Sequence, residues 1–158
     1  MFGEFSADEV ELLNAYSLLG RSTKQELQDY MRYLLGKQYK KELMISIFNN
    51  QLINSLLHSL LHMVEREDFD VDQVKKRALQ FKEIYFAVFE QIHNKYAELV
   101  PGLDSCEMVK DFGISSVDNI LQACYANNQS SIRFETIELC ENFNKFARKK
   151  DARRIVAV

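Results

Sequence analysis

The chain has 158 residues, of which 47% are hydrophobic and 27% are charged, and its formal net charge is −3. This balance is typical of one globular domain and excludes a disordered chain. Only five glycines and one proline are present, which excludes a collagen-like chain, a proline-rich linker protein and a glycine-rich all-β barrel.

Start and stop signals divide the chain into about seven predicted helices. Residues 6–9 (Ser-Ala-Asp-Glu) form a capping box, and the helix that follows is expected to end at Gly20. A second box at residues 23–26 opens a helix that we expect to end at Gly36, because glycine is a common helix stop. No segment shows the apolar–polar alternation of a strand. The sequence therefore predicts an all-α fold.

Two long helices, residues 38–66 and 71–100, are predicted to form a central antiparallel hairpin, because only a short acidic turn joins them. At about 100° per residue, the apolar residues of each helix cover roughly half of its circumference. We expect one of two outcomes. Either smaller helices close a single core around the hairpin, or part of the apolar arc is a homodimer face. A helical bundle is the expected architecture, with a globin-like helical sensor as the alternative.

Three shorter helices are predicted after the hairpin. One opens near Asp104 and closes at Gly113, one runs from Ser116 to about residue 127, and the last starts at Ser131 and enters a basic tail at residues 145–158. The breaks are short and carry no linker composition. We therefore expect a single all-α domain over residues 1–158.

Residues 43–64 contain no Asp, Glu, Lys or Arg, and the segment is long enough to cross a bilayer. Its many amide and imidazole side chains make that assignment too costly, so a soluble helix is expected. The three cysteines are widely spaced, which argues against a disulfide framework or a cysteine zinc site. The first residues lack a signal-peptide pattern. We expect a cytoplasmic protein without membrane contact or cofactor.

Three histidines are candidates for a metal or haem site. His58 and His62 are spaced i, i+4 on one helix face, and His93 lies on the following helix. Together they are a possible zinc set, and His62 with His93 is a possible haem pair. Their helical positions favour a different interpretation, with His58 and His62 on the solvent face and His93 at the edge of the core.

A DNA-binding interpretation rests on the N-terminal helices. The first two helices and the start of the third are compatible with a helix-turn-helix group, in which Lys37, Lys40 and Lys41 would contact phosphates. Amide side chains at Asn49 and Asn50 are of the type that pairs with adenine. Their positions among the leucines of the third predicted helix instead indicate that both point inward.

Inward amides need hydrogen-bond partners, and leaving one without a partner costs about 1–3 kcal/mol. Polar groups set in an apolar wall are typical of a small-molecule pocket. Asn49, Asn50, Phe89 and His93 are therefore candidate residues for binding a small apolar ligand. The alternative is a structural network that holds the helices in register.

Residues 145–154 carry six basic residues and one acid. These cations would complement a helix dipole, or they would form an arm that binds an acidic partner. The candidate partner-binding residues are Arg148, Lys149, Lys150, Arg153 and Arg154.

The sequence has neither a phosphate-binding glycine loop nor a nucleophile elbow. The leading hypothesis is a non-enzymatic regulatory or adaptor domain that acts by contact with another protein and pairs with itself as a homodimer. The alternatives are a helix-turn-helix transcriptional regulator and a helical protein that binds metal or haem.

Overall fold

The computed structural model describes residues 3–156, and the side chains of residues 3–147. Six α-helices and no strand occur in the described part of the chain. They are α1 (Ala7–Leu18), α2 (Arg21–Phe48), α3 (Gln51–Glu65), α4 (Val71–Ala97), α5 (Glu107–Tyr125) and α6 (Gln129–Val156). The all-α fold and the helical bundle are confirmed, but the number of helices is six where seven were predicted.

The helix starts follow from side-chain capping in most cases. The predicted box at Ser6 is present, with Ser6 and Glu9 each accepting a hydrogen bond from the other's backbone N–H. Asp70 caps α4 by accepting from the backbone N–H groups of Asp72 and Gln73. The first helix ends at Leu18, close to the predicted stop at Gly20. Gly20 itself is the residue before α2, and its φ of −70° is not the left-handed conformation common in a glycine that stops a helix.

The predicted boundary between the second and third helices is also wrong. Helix α2 continues through Gly36 and ends at Phe48, so the segment 38–66 is not one rod. A glycine inside a helix costs about 1 kcal/mol relative to alanine. The burial of Tyr39, Leu43 and Ile47 on the same helix outweighs that cost. The break comes instead at Asn50, whose side chain caps α3.

The prediction that a helix ends at Gly113 is wrong. Gly113 lies inside α5. It is buried where α5 crosses α4, and a β-carbon added there would lie 2.5 Å from a ring carbon of Tyr85. The absence of a side chain lets the two helices approach this closely. The Tyr85 hydroxyl donates a 2.6 Å hydrogen bond to the carbonyl of Val109 at the same crossing.

Helix α4 is the centre of the core. Helices α2, α3 and α5 pack against it, and α6 covers α3 and α5 from the other side. Helices α3 and α4 are adjacent, as the predicted hairpin requires, and the smaller helices close the core around them. The wide apolar arcs are therefore largely covered within one chain, with the exceptions of Leu52, Leu79 and Leu99, which are exposed.

Aromatic rings fill the space between these helices. Phe48 at the end of α2 packs against Phe143 and Phe146 of α6, with ring centroids 4.9 Å apart in both pairs. The Tyr85 ring packs against Phe48 and Phe81. Such pairs contribute about 0.5–1.5 kcal/mol beyond the area they bury. They join the second half of α2 to both α4 and α6.

Arg133 ties the loop after α3 to α6. Its Nε donates to the carbonyl of Val64 at 2.8 Å, and its Nη2 donates to the carbonyl of Arg66 at 3.1 Å. These carbonyls lie at the end of α3, where the helix supplies no N–H partner. The guanidinium also lies 5.7 Å from the centre of the Phe69 ring.

None of the described helices combines the length and the apolar character needed to cross a membrane. The segment 43–64, which was long enough to be considered for a span, is divided between α2 and α3 at Asn49 and Asn50.

Two glycine substitutions should have opposite effects on stability. We expect Gly113→Ala to lower the free energy of unfolding by about 1–3 kcal/mol, because the new methyl group overlaps Tyr85. We expect Gly36→Ala to raise it by about 0.5–1 kcal/mol, because nothing lies within 4 Å of the added carbon and the position is helical. Urea unfolding followed by circular dichroism measures both. Equal effects of the two variants would contradict the helix crossing described here.

Candidate interaction surface

Residues 5–34 project from the bundle. No residue of α1 is buried, and the first buried residue of α2 is Tyr39. The helix pairs with extensive contact all lie among α2 to α6. Helix α1 and the first half of α2 therefore form an arm, defined as residues 5–34, that stands outside the core.

More than half of the exposed large hydrophobic side chains in the described part of the chain belong to this arm, although it has about a fifth of the residues. Each of these nine side chains is between 42% and 87% exposed. We call them the arm surface. They are Phe5, Val10, Leu12, Leu13, Leu18, Tyr30, Met31, Tyr33 and Leu34. Apolar side chains concentrated in this way mark interaction sites, whereas scattered ones do not.

The helical repeat brings part of the arm surface into one stripe. Leu27, Tyr30, Met31 and Leu34 follow the i, i+3, i+4, i+7 spacing and share a face of α2. The Tyr30 and Tyr33 rings are stacked, with centroids 6.3 Å apart. This stacking holds two large rings in place at the surface, which reduces the entropy lost when a partner binds.

Contacts between α1 and α2 are confined to the corner around Gly20. Gln28 Nε2 donates to the Tyr16 hydroxyl at 2.9 Å, and Lys24 Nζ lies 5.1 Å from the centre of the Tyr16 ring. These contacts set the angle between the two helices but leave most of their apolar side chains uncovered.

A polar network fastens α2 to α4 just beyond the arm. Lys95 Nζ donates to Glu42 at 2.8 Å, the Tyr96 hydroxyl donates to the other oxygen of Glu42, and Gln38 Nε2 donates to the Tyr96 hydroxyl at 3.0 Å. The hydrogen bonds from Lys95 and Tyr96 hold the pKa of Glu42 below its ordinary value. Burial and the Glu42 carboxylate raise the pKa of Tyr96.

His93 and Phe89 lie beside this network and not around a cavity lined by amides. The Tyr39 hydroxyl and His93 Nδ1 are hydrogen-bonded at 3.1 Å, and the His93 ring stacks on Phe89 with centroids 6.1 Å apart. His93 is half-buried, as predicted for the edge of the core. Burial raises the pKa of the nearby Cys106 thiol and of the Tyr39 hydroxyl.

The prediction that Asn49 and Asn50 point into the core is wrong. Asn49 is exposed at the end of α2, and Asn50 is half-buried with its side-chain oxygen accepting from the backbone N–H groups of Leu52 and Ile53. The inward direction was derived from an unbroken helix over 38–66. The chain changes direction at these two residues, so α2 and α3 are separate helices. The direction of a side chain on one of them cannot be found by counting residues at about 100° each from the other. The Asn50 amide therefore caps α3, and the exposed Asn49 does not line an apolar wall.

The lysines of the DNA-binding interpretation do not lie beside a helix turn, and that interpretation stays a prediction. Lys37, Lys40 and Lys41 lie in the middle of the continuous helix α2, not at a turn between two helices. Lys40 Nζ is 2.9 Å from an Asp104 carboxylate oxygen, and Lys37 Nζ lies over the Tyr33 ring at 5.5 Å.

The three histidines do not come together. His58 and His62 are exposed, as predicted, and His62 lies 3.8 Å from Glu65 on its own helix. His93 contacts Tyr39 of α2. Among the residues that the structure describes, no three His, Cys, Asp or Glu side chains are grouped to hold a metal ion.

The basic tail lies at the end of α6, whose backbone is described to Val156. The side chains of the partner-binding candidates, from Arg148 to Arg154, lie outside the described residues. That interpretation of the tail stays a prediction.

Comparison with known proteins adds no likeness, since no protein family, curated protein or solved structure matches the chain.

The arm surface was missed by the sequence analysis, which considered residues 7–41 only as a DNA-binding group. One signal was available. The stripe at Leu27, Tyr30, Met31 and Leu34 is as regular as those of the core helices. The sequence does not reveal that nothing in the chain covers it, because that depends on where the other helices pack.

The Glu42 network predicts a pH-dependent contribution to stability. The pKa of Glu42 is lower in the folded chain, so this contribution is complete above its ordinary value of 4.5 and is lost as pH falls below it. We expect Glu42→Gln to lower the free energy of unfolding at pH 7 by less than about 1 kcal/mol, because the Lys95 partner is largely exposed. The difference from the wild type should shrink at pH 3.

Urea unfolding at pH 7 and pH 3 measures this difference. Glu83→Gln, at an exposed position of α4, is the matched control and should differ little from the wild type at either pH. A Glu42→Gln difference that stays constant between the two pH values would contradict the role assigned to the carboxylate.

Proposed function

We propose that the protein is a non-enzymatic regulatory or adaptor domain that acts by protein–protein contact through the arm surface. The single observation behind this proposal is the concentration of exposed apolar side chains on residues 5–34, outside a core that is otherwise closed. Burying such side chains is the main favourable term in protein association.

The composition of the arm supports a protein partner. Tyr, Met and Arg are the residue types enriched at protein interfaces, and residues 30–33 have the sequence Tyr-Met-Arg-Tyr. An apolar side chain of this size has roughly 150–250 Å² of surface, so nine that are about half exposed present on the order of 800 Å². A stable interface buries about 800 Å² on each partner.

The way in which the arm joins the body supports a regulatory role. Helix α2 carries the arm stripe in its first half and the core residues Tyr39, Leu43 and Ile47 in its second half. A partner held by the arm is thus attached to the bundle by one continuous helix. The three free cysteines support a reducing compartment such as the cytoplasm.

Site-specific photo-cross-linking in the expressing cells tests the proposal. Benzoylphenylalanine placed at position 33, and separately at position 13, should give a covalent adduct with another protein molecule on irradiation. The matched control is the same amino acid at position 125, where Tyr125 is 73% exposed on the body. Adducts at 13 and 33 but not at 125 are expected. Adducts at none of the three, or at 125 equally, would overturn the proposal.

A further inference from the structure

We propose that the partner of the arm surface is a second copy of this chain, and that two arms pair about a two-fold axis into a four-helix layer. This inference rests on the proposed function and names its partner. It is carried by the size of the uncovered apolar surface, together with the separation of charge between residues 3–19 and residues 21–41.

The segments on the two sides of Gly20 differ in charge. Within the arm the difference is −3 for residues 5–19 against +1 for residues 21–34, and it is larger when the second segment is extended to residue 41, past the arm. Residues 3–19 contain four acids (Glu4, Asp8, Glu9 and Glu11) and no Lys or Arg. Residues 21–41 contain six bases (Arg21, Lys24, Arg32, Lys37, Lys40 and Lys41) against two acids (Glu26 and Asp29). The first segment therefore has a net charge of −4 and the second has a net charge of +4.

Among the described residues, the acids of the first segment are not paired with the bases of the second within one copy, although Lys40 is paired with Asp104. The ion pairs among the described residues include none between an α1 acid and an α2 base. Glu9 instead completes the capping box, and Arg32 is paired with Asp29 on its own helix. The contacts between the two helices stop at the Gly20 corner.

A two-fold interface uses the same patch on both copies, so that α1 of one copy meets α2 of the other twice. Each acidic segment would then face a basic segment across the interface. This arrangement brings opposite charges together and needs no third molecule. Electrostatic complementarity of this kind sets the register and raises the association rate.

Apolar burial would supply the affinity. The first half of α2, over residues 21–36, is about 24 Å long at 1.5 Å per residue, and α1 has 12 residues. Two helices from each copy are enough to surround the stripe at Leu27, Tyr30, Met31 and Leu34, as in a four-helix bundle. The roughly 800 Å² that the arm surface exposes on each copy is the most that pairing could bury, and it matches the amount in a standard interface.

The mass of the purified full-length chain in solution is the first measurement. Sedimentation equilibrium should give twice the monomer mass of 18.5 kDa. We expect Leu34→Glu to weaken dimerisation by at least about tenfold, because it sets a charge in the apolar stripe. The exposed body residue Leu99→Glu is the matched control and should leave the dimer unchanged.

Charge reversal tests the pairing of α1 with α2 directly. Glu4→Lys with Glu11→Lys changes the net charge of residues 3–19 from −4 to 0, and these positions leave the capping box intact. Arg21→Glu with Lys37→Glu changes the net charge of residues 21–41 from +4 to 0. Each double variant alone should dimerise about tenfold more weakly or worse at low salt. A mixture of the two should restore dimers that contain one chain of each kind, because only the mixed dimer places a segment of net charge −4 opposite one of +4.

Glu83→Lys with Glu90→Lys on the exposed side of α4 is the control for charge reversal as such. Unchanged far-ultraviolet circular dichroism and unfolding midpoints show that the variants are folded. A monomeric wild type at about 100 µM would overturn self-pairing, since standard interfaces of this size bind far more tightly. Reversed variants that fail to combine on mixing would overturn the proposed α1–α2 arrangement.

The two proposals fail in different ways. A monomeric wild type whose position 33 still cross-links to a different protein removes the self-pairing and leaves the arm as an interaction surface. A monomeric wild type that gives no adduct at position 13 or 33 removes both.

Discussion

The burial of helix α4 is the constraint on which the rest of the structure depends. Its apolar and aromatic side chains point in several directions, and leaving a large apolar side chain in water costs about 1.5–3 kcal/mol. Helices α2, α3 and α5 surround it and bury Phe81, Tyr85 and Phe89. The close crossing at Gly113, where α5 lies against Tyr85, is one local consequence.

The same constraint explains why the arm exists. Only the second half of α2, from Tyr39 onward, is needed to cover α4, and the Glu42 network with Lys95 and Tyr96 fastens it there. The first half of the helix extends past the end of the core, and α1 follows it. No remaining helix of the described structure is positioned to cover their apolar side chains. The functional proposal thus follows from the packing of the core, not from a catalytic or metal-binding group.

The prediction that Asn49 and Asn50 point inward is wrong for a reason that can be identified. Asn49 and Asn50 were assigned to an apolar wall because helical positions were counted through a segment that contains a break. The capping role of Asn50 is local chemistry, and Asn is a good capping residue. Two adjacent asparagines between apolar runs therefore indicate the boundary between two helices. Gly36 and Gly113 were the more conspicuous signals, and both were misleading, because tertiary packing outweighs the intrinsic cost of a glycine in a helix.

The sequence by itself determined the all-α class, the capping box at Ser6, the start of α4 at Asp70 and the exposed position of His58 and His62. Each of these depends on neighbours within a turn or two of helix, where spacing and side-chain type suffice. Only the tertiary structure decided that α2 passes through Gly36, that Gly113 serves a helix crossing and that residues 5–34 stand uncovered. Those features depend on which distant helices pack together. The distance between two helices cannot be derived from the local sequence pattern of either one.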